Sequence, residues 1–236
     1  MMERFIFIAI LTYLTTSPLS VVASEYSWAN PSEIKLKNII KSDRIISLGF
    51  SKKGVFSYIL QKNSCNKPSG SNQKISWLAI DLIQDKVVEQ VDLGMESTNV
   101  LAVEILKKYG KRIARYNSKY DVITSGPYNI VTNREINLGK DVLIIQTKLV
   151  KTGIGEDAVN PGYKKYHVLL NSNKRGMKKI AQIKSMYQPL HFWGYIKSPF
   201  EERIATLFIS EFRGCDAFPE MRINIVGASL KYGFPH

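Results

Sequence analysis

Residues 44–91 read RIISLGFSKKGVFSYILQKNSCNKPSGSNQKISWLAIDLIQDKVVEQV, and their pattern decides the fold class. Ile45, Ile46, Leu48 and Phe50 are β-branched, long apolar or aromatic residues in a run too short for an ordinary helix. The turn Ser51-Lys52-Lys53-Gly54 follows, with glycine where a tight hairpin needs a positive φ. Val55 to Leu60 leads back. After the polar loop 62–74, Ile75 to Leu82 and Val87 to Val91 form a second hairpin around Gln84-Asp85-Lys86. Long apolar runs mixed with alternation predict inner strands covered on both faces and an outer strand half exposed. Four antiparallel strands in succession make a β-meander.

The stretch resembles one blade of a β-propeller. GFSKKGVFSYIL is similar to the FSPDG hairpin of WD40-type and TolB-type blades, and LAIDLIQDKVV is similar to their outer hairpin. It departs from that pattern at Lys53-Gly54, where Asp-Gly is usual, and at Lys86, where glycine is usual. It also lacks a Trp-Asp dipeptide.

The β-pattern returns further on. Asn129 to Ile136, Val142 to Val150, Tyr163 to Leu170 and Met177 to Lys184 read as four strands, and His191 to Ile196, Arg203 to Phe212 and Arg222 to Leu230 as three more. The last group echoes the first: an aromatic strand, a serine-bearing turn, an apolar strand and a loop with one cysteine. The expectation is a mainly β chain of about three propeller-like repeats at 44–92, 128–184 and 191–231, in a single domain over 25–236. Three blades fall short of the usual four to eight, so a two-sheet β-sandwich is the alternative. One helix is inserted at about 98–116. Ser97, Thr98 or Asn99 can cap it, Leu101, Ile105, Tyr109 and Ile113 make its apolar stripe, and Lys107, Lys108, Lys111, Arg112 and Arg115 form a wet basic back. A membrane-surface helix would show a similar pattern.

Residues 1–24, MMERFIFIAILTYLTTSPLSVVAS, read as a signal peptide: Arg4 gives a positive start, Phe5 to Leu14 a short apolar core, and Val21 to Ser24 small-residue cleavage sites. A single uncleaved membrane anchor is the alternative, though the run is short for a span. Cleavage leaves a protein secreted or periplasmic, with no transmembrane segment. Lys and Arg total 33 against 20 Asp and Glu, a net charge of +13. Removing Glu3 and Arg4 leaves that balance unchanged. A charge this high favours anionic partners, here an envelope protein or an anionic glycan. Lysines scattered over solvated strands and turns are the plainer account, and no aromatic-interleaved basic motif points to nucleic acid.

Cys65 and Cys215 are the only cysteines. In an exported chain they are expected to pair, tying the last repeat to the first, with free thiols or intermolecular pairing as alternatives.

The sequence carries no catalytic motif: HExxH, GxSxG, P-loop and GxGxxG patterns are all missing. No cofactor or metal site is predicted. His167 and His191 sit on strands outside any ligand spacing, and Glu156-Asp157 lacks the EF-hand pattern. Asp81 and Glu211 follow apolar strand residues and are the acids an envelope hydrolase would use. Trp28, Tyr232 and Phe234 are candidate aromatic contacts. The segment GCDAFPEMRINIVGASLKYGFPH and the hairpin SPFEERIATLFISEFRG, with the first hairpin and the signal peptide, resemble a group of uncharacterised bacterial predicted secreted proteins. That resemblance implies export and a repeated β-fold and brings no activity with it. The expected function is therefore non-enzymatic binding or structural work at the cell envelope.

Overall fold

The computed structural model describes residues 32–34, 43–63, 72–97, 100–124, 128–153, 162–186, 188–213 and 219–235. Segment 1–24, Cys65, Cys215, Glu156, Asp157, Trp28 and His236 lie outside the described residues.

The apolar runs of the first stretch become strands that pair with their chain neighbours. Sheet I contains β1 (Ser32–Ile34), β2 (Arg44–Ser51), β3 (Val55–Asn63), β4 (Asn72–Asp81) and β5 (Lys86–Ser97) in that order. After α1 (Ala102–Lys119), the short β6 (Val122–Ile123) also pairs with β2. Sheet II contains β7 (Glu135–Asn137), β8 (Val142–Gly153), β9 (Tyr163–Ser172) and β10 (Gly176–Ser185). Sheet III contains β11 (His191–Lys197), β12 (Arg203–Arg213) and β13 (Pro219–Ser229). The described residues are thus mainly β, in three antiparallel sheets with one helix. Every described residue of β2 is buried, whereas β5 is largely exposed, as the inner and outer runs predict.

The faces of the strands define layers. Ile46, Ile59, Ile75 and Trp77 turn one face of sheet I toward Ile105, Leu106, Tyr109 and Ile113 of α1. Ile45, Phe50, Phe56, Leu78 and Ile80 turn its other face toward Ile196, Ala205 and Leu207 of sheet III. The opposite face of sheet III, with Phe192, Ile204, Phe208 and Val226, packs on Leu143, Ile145, Val168 and Leu170 of sheet II. The order is therefore α1, sheet I, sheet III, sheet II. The meander that comes last in the chain lies in the middle.

Sheets I and III share a local device. The pairing of β2 with β3 shifts register between Ser47 and Gly49, and that of β11 with β12 between Phe192 and Gly194. At both glycines another segment crosses the outer edge of the strand. A Cβ on Gly49 would lie 2.3 Å from the Ile123 carbonyl oxygen, and one on Gly194 would lie 2.8 Å from that of Val131. These bulges occupy matching places in the two units compared at the level of sequence.

Some expectations need correction. Asn129 to Ile136 is not one strand. Only Glu135–Asn137 joins sheet II, while Val131 bridges to Tyr195 on the edge of sheet III. A β-branched run is equally fit to pair with either sheet, and the open edge of β11 takes part of it. The helix starts later than 98 and is capped by Leu101, without a side-chain acceptor at that position. Glu104 supplies the capping interaction instead, accepting the Leu101 N–H at 2.9 Å. Leu101 itself is exposed, and Ala102, Leu106 and Asn117 join the buried stripe.

Candidate functional site

Among the described residues, the face of sheet II turned away from sheet III presents exposed side chains, Lys148, Lys151, Lys179, Gln182 and Lys184 among them. Its composition follows from register. Leu143, Ile145, Tyr166, Val168, Leu170 and Ile183 point to the core, so the alternating positions point outward. Three rows run across the strands there. Lys151 of β8 pairs with Lys165 of β9, which pairs with Lys184 of β10. The next row is Lys148, His167 and Gln182, and the next is Gln146, Leu169 and Lys179. Five lysines thus share the face. Among the described residues, none of the five takes part in an ion pair.

The polar neighbours fix this surface locally. His167 Nε2 lies 3.3 Å from Gln182 Oε1. The Lys184 ammonium sits 4.7 Å from the centre of the Tyr163 ring. That ring lies against Gly153, where a Cβ would come within 2.5 Å of it. Leu169 is only 8% exposed although it faces outward between Gln146 and Lys179. The arrangement presents ammonium groups and hydrogen-bonding side chains on one sheet face, which suits binding of an anion. The signal missed in the sequence is register: β8 carries a bulge between Leu149 and Lys151, and β10 one between Lys179 and Ala181. These shifts bring the lysines into rows that simple alternation does not predict.

The basic back of α1 is differently disposed. Lys108 pairs with Glu96 at 2.5 Å and Lys119 with Glu89 at 2.8 Å. Arg112 donates to the carbonyls of Leu93 and Asp92 at 3.0 and 3.2 Å. These contacts cover the exposed edge of β5. They hold Glu89 and Glu96 below the ordinary carboxylate range, through hydrogen bonds from Lys119 and Tyr120 and, against the opposing effect of burial, from Lys108 and Tyr109. A surface pocket of about 370 Å³ opens there, lined by Glu89, Arg115, Tyr116, Ser118 and Lys119. Its acid is already matched by Lys119 and Tyr120.

The acids named for hydrolysis do not meet. Asp81 Oδ1 accepts the N–H groups of Ile83 and Gln84 at 2.7 and 3.2 Å and so shapes the β4–β5 turn. Leu82 of that turn donates to the Gly54 carbonyl, and a Cβ on Gly54 would lie 2.9 Å from Arg203. Asp81 is therefore at the Arg203 end of β12. Glu211 lies at the other end, roughly 25 Å away along an extended strand, well beyond the separation of about 10 Å or less at which paired carboxylates cooperate. Burial raises the Glu211 carboxyl above its usual range. Among the described residues, no group of three or more His, Cys, Asp and Glu side chains can hold a metal, and no helix is long and apolar enough to cross a membrane. His191 is exposed at the start of β11. Tyr232 is exposed, whereas Phe234 is held between Arg175 and Lys178, 4.3 and 4.5 Å from its ring centre.

No family model, no curated protein and no solved structure matches the chain significantly.

Proposed function

We propose that the protein is an exported, non-enzymatic binding protein of the cell envelope, and that the outer face of sheet II holds an anionic partner. The observation that carries this reading is the row Lys151, Lys165 and Lys184, three like charges side by side on adjacent strands. Like charges directly opposite one another weaken a sheet, so an anion that neutralises them offsets a cost built into the fold. The N-terminal apolar segment and the net charge of +13 support export and an anionic partner. The matched bulges at Gly49 and Gly194 support a propeller-like origin for the meanders, in an open stack of three.

The test is capture from an envelope extract on immobilised protein at low and raised salt. The expected result is anionic material retained at low salt, released at high salt, and reduced on a matrix carrying K151Q/K165Q/K184Q. Retention identical on both matrices would contradict the reading.

A further inference from the structure

We infer that the anionic partner is a linear polyanionic glycan laid across the strands of sheet II. This rests on the binding role proposed for that face and names its ligand.

Adjacent strands stand about 4.8 Å apart. The row Lys151, Lys165, Lys184 therefore offers three ammonium groups along a line that crosses the strands. Lys148 and Lys179 continue the positive charge into the next rows. A small anion engages one or two such groups. A chain with repeated charges engages all of them and releases a counterion at each.

The remaining side chains distinguish a glycan from an acidic protein. A stable protein interface needs roughly 800 Å² per partner with apolar or aromatic anchors near its centre. Here the central outward Leu169 is buried, and the middle of the face is His167 beside Gln182. Gln146 and Asn171 continue the polar surface along the strands, and the exposed Met177 stands beside Asn171 only at its far margin. Amide and imidazole groups between ammonium groups match a ligand with hydroxyls between its charges. Lys184 is held in place by the Tyr163 ring, so one end of the row is ordered before the ligand arrives.

The experiment measures affinity of the full chain for heparin fragments of increasing length, for polygalacturonate, for polyglutamate and for vesicles rich in phosphatidylglycerol, across a salt series. The variants are K151Q/K165Q/K184Q and, with the same charge change on α1, K107Q/K111Q/R115Q. Thermal unfolding confirms that each variant folds. The expected result is that glycan affinity rises with length and then levels off. A fourfold rise in salt weakens wild-type binding about a hundredfold or more if all five lysines engage, and the row variant about tenfold. The row variant loses about three from the slope of log affinity against log salt, while the helix variant keeps the wild-type slope. If polyglutamate or vesicles bind through the row as tightly as the glycans, the glycan assignment is overturned and anion binding by this face stands. If none of the four probes binds at low salt, or the row variant binds like wild type, the role proposed for the face falls with it.

Discussion

Asn117 connects the helix to the sheet beneath it. Its Oδ1 accepts the Ser57 hydroxyl at 2.8 Å and the Trp77 indole N–H at 3.0 Å, all three residues being almost fully buried. Asn117→Ala strands both donors in the core, where each lost partner costs about 1–3 kcal/mol. A loss of about 2–4 kcal/mol in urea denaturation followed by tryptophan fluorescence is expected, and a change within about 0.5 kcal/mol would refute the assignment. Asp43 makes a different prediction. It is buried where the start of β2 meets β13, donating its N–H to the Met221 carbonyl, and desolvation raises its carboxyl to about 6 despite nearby Lys62 and Arg222. The folded state thus holds this proton more tightly than the unfolded chain, whose value is near 3.8. The corresponding stability is fully present below about pH 4 and lost as pH rises through 6, roughly 3 kcal/mol in all. Asp43→Asn should flatten that decline, gaining on wild type at pH 7 but not at pH 4. Parallel urea midpoints in the two proteins between those pH values would contradict it. Neither role was legible in the sequence, because Asn117 falls just past the helix expected at about 98–116 and Asp43 just before the strand run that opens at Arg44. Burial depends on partners distant in the chain.

At the scale of elements, the hairpins were legible and some of their borders were not. Gly54 and the polar cluster 171–176 mark turns for local steric reasons, and strands end there. In the β4–β5 turn, Asp85 takes the left-handed conformation at φ 51° with no glycine to do so. Its carboxylate accepts the Gly227 N–H at 2.8 Å, a contact with β13 invisible at that distance in sequence. The C-terminal segment after β13 is held in a comparable way. Arg175, in the β9–β10 turn, pairs with Asp141 at 2.6 Å and donates to the carbonyls of Leu230 and Lys231, both at 2.9 Å. Lys178 also donates to the carbonyls of Ser229 and Tyr232. Arg175→Ala is expected to cost about 2–4 kcal/mol and to raise hydrogen exchange over residues 230–235. Arg175→Lys should rescue little, since an ammonium cannot reproduce the planar fork. Unchanged exchange in the alanine variant would show that the segment is held by other contacts.

For the whole molecule, sequence pattern located three meanders but not their order in the stack. An apolar strand face does not state which sheet it meets, and sheet III separates sheets I and II. Asp43, Lys62, Glu220 and Arg222 are close enough to interact electrostatically. The ends of β3 and β13 that flank the two cysteine-bearing segments therefore approach one another. This supports the proposed Cys65–Cys215 bridge, although both residues lie outside those described. Such a bridge would stabilise the chain by at most about 5 kcal/mol in the entropy model. Exported protein should run faster on non-reducing than on reducing gels and show no titratable thiol after denaturation. Equal mobility with two free thiols would exclude the bridge.

The lysine row of sheet II is proposed to serve a ligand rather than the fold. Its most direct measurement is the thermal midpoint of wild type and K151Q/K165Q/K184Q at low salt, with and without heparin. The variant is expected to be the more stable of the two without heparin, because repulsion between neighbouring like charges is relieved, and heparin is expected to raise the wild-type midpoint but barely move the variant. A variant less stable than wild type without heparin, with an undiminished heparin shift, would contradict it.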